Sequence, residues 1–165
     1  MTKLEYQLDI LKLEIESINS AIRQMDSMTE KIKNWAVLIW AAALGAAITN
    51  KDLNRYIAFT SAIPLAFWFV DGWYRRIQRR FIWRNNEIRD FLNSEKLEKS
   101  FTQQTLVDFE VFDLASRNSK GQEEYEAFIS IRRTMRFGSL YLFYSFLIVI
   151  SLLAWVVSLI WPRSG

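Results

Sequence analysis

The chain has 165 residues, of which 51% are hydrophobic and 24% charged, and its formal net charge is +3. It contains no cysteine and no histidine, which excludes disulfides, thiolate metal sites and the commonest general base. Acidic and basic residues are absent from 34–50, 56–70 and 137–162 but frequent elsewhere, so the composition predicts an integral membrane protein with a cytosolic part.

Residues 1–33 carry apolar side chains at spacings that alternate between four and three, which is typical of a heptad seam on a helix. This predicts a cytosolic amphipathic helix. The seam pairs either with a second copy, as a coiled coil, or with another helix of the same chain, and the spacing leaves both partners open. Its members are Leu4, Leu8, Leu11, Ile15, Ile18, Ile22 and Met25.

The uncharged segment 34–50 predicts a first transmembrane helix near the short end of the ~20 residues that cross a bilayer core. Its middle consists of small residues. Ala41 and Gly45 have the small-xxx-small spacing that lets two helix backbones approach closely in lipid. The approaching helix belongs either to a second subunit or to the next span, which follows after a short connection at 51–55.

A second span is predicted at about 56–73, so that 34–74 forms a transmembrane hairpin. Pro64 lies near its middle and predicts a kink, which is either a static bend or a hinge for gating. Asp71 lies at the edge of the apolar segment, where a carboxylate is costly unless paired, and Arg75 follows one helical turn later. The pair is either an ion pair at the helix end or a gate that lines a pore.

A basic flank follows the second span and places this end in the cytoplasm by the positive-inside rule. Guanidinium groups at helical spacing also bind phosphates, whether of anionic lipid headgroups, of a nucleotide messenger or of nucleic acid. The sequence therefore leaves two roles open, orientation and phosphate contact. The arginines are Arg75, Arg76, Arg79, Arg80 and Arg84.

Residues 75–136 are predicted as a cytosolic helical region that starts with a helix to about residue 98. Within it, 107–111 alternates apolar and polar residues and suits either a short strand or short helices, and 116–121 is predicted as a loop. A last helix leads directly into a third transmembrane helix at 137–162. The predicted fold is an all-α membrane protein with three spans, its N-terminus inside and its C-terminus outside.

Two segments, IKNWAVLIWAAALGAA and PLAFWFVDGWYRRIQRRF, resemble a pattern of small uncharacterised bacterial inner-membrane proteins. In these proteins a two-span hairpin ends in an FWxxDxxYRxxxR signature, and the layout is similar to that of SLATT-type anti-phage membrane effectors. The resemblance covers about residues 25–90, and the third span departs from the two-span plan. It implies an effector that oligomerises and perturbs the inner membrane when a cytosolic sensor is triggered. The matching residues are Ile32, Trp35, Phe67, Trp68, Asp71, Tyr74, Arg75 and Arg79.

The sequence has no phosphate-binding glycine loop, nucleophile elbow or metal-ligand spacing, so we expect no enzyme and no cofactor or metal. We expect an oligomeric effector that forms or gates a pore, or otherwise perturbs the membrane, in response to a cytosolic signal. Its expected partners are the lipid bilayer with its anionic headgroups, further copies of the chain, and a cytosolic sensor protein or nucleotide messenger. The alternative is a non-conducting, membrane-anchored scaffold or accessory subunit that recruits a cytosolic partner.

Overall fold

A computed structural model describes residues 2–112 and 122–160, and these residues form helices and connecting turns without any β-strand. The predicted all-α class is therefore confirmed for this part of the chain. The predicted loop at 116–121 and the predicted end of the third span at Pro162 lie outside the described residues. The helices are α1 (Lys3–Thr49), a 3₁₀ helix (Asn54–Ser61), α2 (Ala62–Leu92), α3 (Glu95–Gln103), α4 (Gln122–Phe128), α5 (Ile131–Met135) and α6 (Gly138–Ile160).

The chain divides into two compact units. Unit 1 comprises Met1–Asp26 and Arg76–Ser130, and unit 2 comprises Ser27–Arg75 and Ile131–Gly165. The long helices α1 and α2 contribute residues to both.

The heptad seam of α1 forms the core of unit 1. The helix begins with a capping box, in which Thr2 and Glu5 each accept a hydrogen bond from the other's backbone N–H. Leu11 and Ile18 are at most 2% exposed and pack in one apolar cluster with Ile88 of α2. The seam is therefore filled by residues of the same chain, which was one of the two partners that its spacing left open. The cluster also contains Leu4, Phe91 and Leu106, with Leu8, Ile15 and Ile22 partly buried against it.

The helix predicted to run from residue 75 to about 98 is interrupted after Leu92. Ser94 is the reason, because its backbone is extended and its hydroxyl accepts a hydrogen bond from the N–H of Lys96, which starts α3. Neither the strand nor the short helices predicted at 107–111 form. Positive φ angles at Gln104, Asp108 and Phe112 turn the chain there instead, and its N–H groups bond to side chains.

Unit 2 packs the second half of α1 against the 3₁₀ helix, the start of α2, and α6. One apolar cluster joins Trp40 and Leu44 of α1 to Ile57 and to Leu147 of α6. The indole N–H of Trp40 donates a 2.8 Å hydrogen bond to the hydroxyl of Ser151, so the polar atom of this buried ring is satisfied. A second cluster joins Ala36, Leu140 and Tyr144, with Phe67 and Trp68 packed against it.

Two stretches of the described chain are long and apolar enough to cross a membrane, α1 and the residues 122–160 that include α6. Only 17% of each apolar window is buried, whereas the core helix of a soluble protein is mostly buried. This permits a membrane location. The described residues therefore hold two candidate spans and not the predicted three.

The predicted middle span differs because its helix changes type. Residues 54–61 form a 3₁₀ helix, and α2 reaches Asp71 within a few turns of its start at Ala62. Pro64 lies in the first turn of α2, where a missing backbone N–H breaks no helical bond. The kink expected from Pro64 near the middle of a span is therefore replaced by a change from 3₁₀ to α geometry ahead of it.

Candidate functional site

A buried carboxylate, that of Asp71, lies inside unit 2. Asp71 is 0% exposed, and its Oδ1 forms an ion pair with Arg75 Nε at 3.4 Å, one helical turn along α2. The hydroxyl of Tyr144 on α6, also 0% exposed, donates a hydrogen bond to Asp71 Oδ2 at 3.2 Å. Burying a carboxylate is costly, and the ion pair on α2 together with the hydrogen bond from α6 offsets part of that cost.

The surroundings of Asp71 bring further groups close. Lys33 of α1 attracts the carboxylate electrostatically, and its Nζ lies 5.9 Å from the centre of the Phe143 ring. On the other side, Trp68 Nε1 donates to the backbone oxygen of Met135 at 3.2 Å. Gly72 lies against the Met135 side chain, since a Cβ there would lie 2.5 Å from Met135 Sδ.

Asp71, Arg75 and Tyr144 form one charged and hydrogen-bonded group, which we call the polar lock. The carboxylate pairs with Arg75 on its own helix, is attracted by Lys33 of α1, and is joined to α6 by the hydrogen bond from Tyr144. Displacement of the carboxylate would remove both contacts at once, whereas its protonation would remove the ion pair with Arg75. Groups of three or more acidic, cysteine or histidine side chains suited to a metal ion are absent from residues 2–112 and 122–160.

The five arginines of the basic flank have different surroundings. Arg84 is buried in unit 1, where its Nε lies 2.8 Å from Glu14 Oε1 and its Nη2 donates to the Glu110 carbonyl oxygen at 2.6 Å. Arg76 Nε donates to the carbonyl oxygen of Ile129, again within unit 1. Arg84 in particular is a structural residue of the interior and is not accessible to a phosphate.

The remaining members of the flank lie closer to the surface. Arg79 is partly buried, with its guanidinium carbon 4.0 Å from the centre of the Phe128 ring. Arg80 is exposed, and Arg75 pairs with Asp71 as described above. Of the five arginines predicted to contact phosphate, Arg80 is therefore the most accessible.

Two of the small residues of α1 face outward, whereas Ala36 and Ala47 are buried. Ala41 and Gly45 are exposed, and a Cβ built at Gly45 would meet no atom within 4 Å. The opposite face, with Trp40, Leu44 and Ala47, makes the contacts inside unit 2. Packing of Ala41 and Gly45 against the next span of the same chain, one of the two predicted partners, therefore does not occur.

Two residues of these sites were missed from the sequence. Glu14 follows Leu11 by three positions and precedes Ile18 by four, so a carboxylate on the apolar face was visible as a candidate for burial. Tyr144 carried no such indication, since α6 also presents Tyr141, which is exposed.

No model of a known protein family, no curated protein and no solved structure matches this chain. The likeness to SLATT-type effectors therefore stays a prediction based on the residues quoted for it.

Proposed function

We propose that the protein is a non-enzymatic, oligomeric effector of the bacterial inner membrane that forms or gates a pore when its cytosolic helical region receives a signal. The observation that carries this proposal is the burial of Asp71, which pairs with Arg75 and Tyr144, in a unit whose helices α1 and α6 expose many apolar side chains. Ionisable groups are expensive in lipid, and in membrane proteins they mark ion pathways, proton relays and gates.

In this proposal the chain crosses the membrane three times, at 34–50, 56–73 and 137–162, with its N-terminus inside and its C-terminus outside. The middle segment has the pattern of an interior membrane helix. Its buried side chains include Thr60 and Asp71, whereas Phe59, Leu65 and Phe69 are exposed and apolar. Such a segment has a polar interior side and a lipid-compatible outer side, so its overall hydropathy understates its fit to a membrane.

The proposed gate is the lock between α2 and α6. While Asp71 of α2 accepts the hydrogen bond from the Tyr144 hydroxyl of α6, the two helices stay together and the interior of unit 2 stays closed. A signal that separates them would leave three polar groups in an apolar interior, where water or ions can satisfy them. Several subunits would be needed to enclose a conducting path, and further copies of the chain are the proposed partners.

The function is tested by reconstituting the purified full chain into vesicles that contain a trapped dye or ion. Release above that of protein-free vesicles, under at least one activating condition, is the expected result. Vesicles that stay tight under every condition, with a monomer in detergent, would contradict the proposal.

Oligomerisation is tested at the outward small face of α1. Gly45→Leu is expected to shift the detergent-solubilised protein towards monomer without unfolding it, because a Cβ at this exposed position meets no atom within 4 Å while the larger side chain blocks close helix approach. Mass measurement of the solubilised complex gives the oligomeric state, and circular dichroism gives the helix content.

Gly45→Ala is the matched control, since alanine keeps the position small and should leave the oligomer unchanged. If Gly45→Leu assembles like the wild type, subunits do not associate through this face.

The alternative function is a membrane-anchored scaffold without conduction. It is favoured by the exposed aromatic and aliphatic side chains of unit 1, which suit a protein partner and are Tyr6, Leu13, Phe101 and Phe112. Replacing the spans by unrelated membrane helices separates the two functions, because a scaffold should tolerate the exchange and a pore should not.

Anti-phage defence is the biological setting that the resemblance implies. Phage plating on cells with and without the expressed chain tests it, and equal plating efficiency over a broad set of phages would argue against it.

A further inference from the structure

A set of basic side chains at one end of unit 2 has no role in the lock or the packing described above. Arg132 and Arg133 belong to the short helix α5, and Arg136 follows it immediately before α6. All three are exposed, and none forms an ion pair with another described residue. Lys31 of α1 is exposed in the same way.

These four cations lie at the same end of unit 2. Ala36, just over one turn after Lys31, packs with Leu140, one turn after Arg136. The backbone of Met135 accepts the hydrogen bond from Trp68, which fixes α5 beside α2 at that level. The apolar stretch of α1 and that of α6 therefore begin at the same end of unit 2.

The neighbouring side chains suit a lipid headgroup region. Trp35 and Trp73 are 57% and 47% exposed, and tryptophan prefers the level of the membrane interface. Among the described residues 27–36 and 131–140, Glu30 is the single carboxylate, so positive charge dominates this end. By contrast, Arg84 forms an ion pair with Glu14 inside unit 1, and Arg76 donates a hydrogen bond to the carbonyl oxygen of Ile129.

We infer that Lys31, Arg132, Arg133 and Arg136 form a headgroup patch that binds the phosphate of anionic phospholipids such as phosphatidylglycerol. Guanidinium groups donate paired hydrogen bonds to phosphate oxygens, and the lysine adds a point charge. The inference rests on the membrane location proposed above but not on conduction. It moves the phosphate contact expected from the α2 arginines to α5 and the start of α6.

The test uses the full chain in phosphatidylcholine vesicles doped with brominated lipid, which quenches tryptophan fluorescence on contact. The quenching gives the affinity of the protein for each brominated lipid, and the affinity for brominated phosphatidylglycerol is expected to be at least tenfold higher than that for brominated phosphatidylcholine. The triple variant Arg132→Gln/Arg133→Gln/Arg136→Gln should abolish most of that preference, since three basic residues at about fivefold each amount to roughly 100-fold at a membrane surface.

A triple variant with equal loss of charge is the control, and Arg80→Gln/Arg89→Gln/Lys99→Gln changes three exposed cations of unit 1. It should keep the preference for phosphatidylglycerol. If the α5 triple variant fails to insert, Arg133→Gln alone is used and should lower the preference about fivefold.

Equal quenching by both lipids in the wild type, or an equal loss in the two triple variants, would overturn the headgroup patch. Its failure is distinguishable from that of the proposed function. Tight vesicles with a clear preference for phosphatidylglycerol would contradict the pore and support the patch, whereas leaky vesicles without that preference would do the reverse.

Discussion

Glu14→Ala is expected to destabilise unit 1 by about 3–5 kcal/mol, because it breaks a buried ion pair from one side only. The Glu14 and Arg84 side chains are 0% and 5% exposed, and Arg84 Nε lies 2.8 Å from Glu14 Oε1. The second carboxylate oxygen accepts a hydrogen bond from the Phe112 N–H at 2.8 Å. Truncation therefore leaves the Phe112 N–H without its acceptor, and Arg84 keeps only the more exposed Glu87, 3.4 Å away, as an acidic partner. Alanine has a higher helix propensity than glutamate, so the change in helix propensity would by itself slightly stabilise the variant.

The loss is measured by denaturant unfolding of the solubilised full chain, followed by hydrogen exchange of amides in residues 2–26 and 76–112. Glu16→Ala is the matched control, since Glu16 is exposed on the same helix and should change stability by less than about 0.5 kcal/mol. The double variant Glu14→Ala/Arg84→Ala should lose less than the sum of the single variants, because it removes both charges of the buried pair together. A cost of Glu14→Ala no larger than that of Glu16→Ala would contradict the importance of this pair.

The fold class could be predicted because it depends on local patterns. The seam spacing identifies the buried face of α1, and Leu11 and Ile18 are indeed in the core of unit 1. The same spacing does not specify the partner, since Ile88 and a second copy of Leu11 satisfy it equally. Segment 104–112 could not be predicted, because its backbone donors bond to Gln7 and to Glu14, which lie about a hundred residues earlier in the chain.

The candidate site likewise has one contact that follows from local spacing and others that depend on tertiary packing. Asp71 and Arg75 lie one turn apart on a helix, so their proximity follows from spacing alone. Tyr144 lies 73 residues further along the chain, and its hydroxyl reaches Asp71 only through the packing of α6. The different surroundings of Arg76 and Arg84 likewise depend on tertiary contacts, so the basic flank indicates orientation but not which arginine is free for phosphate.

Asp71→Asn is expected to open the proposed gate. The amide keeps the shape of the carboxylate and can still accept from Tyr144, but Arg75 loses its counter-charge inside unit 2. A loss of about 2 kcal/mol from the closed state would raise the population of the open state about 30-fold. Dye release from vesicles without an activating condition is expected to increase correspondingly, and thermal unfolding in detergent should occur at a lower temperature.

Two further variants separate a gate from a simple anchor. Tyr144→Phe removes one hydrogen bond of about 1 kcal/mol and keeps the buried ring. Dye release from vesicles that contain this variant should therefore lie between the release measured for the wild type and for Asp71→Asn. Asp71→Asn/Arg75→Gln removes both charges, and it should recover part of the lost stability and tightness because no unpaired charge remains. If Asp71→Asn lowers the unfolding temperature while release stays at the wild-type level, the lock only fixes the end of α2. Graded release across the three variants is expected only if the contact between α2 and α6 controls opening.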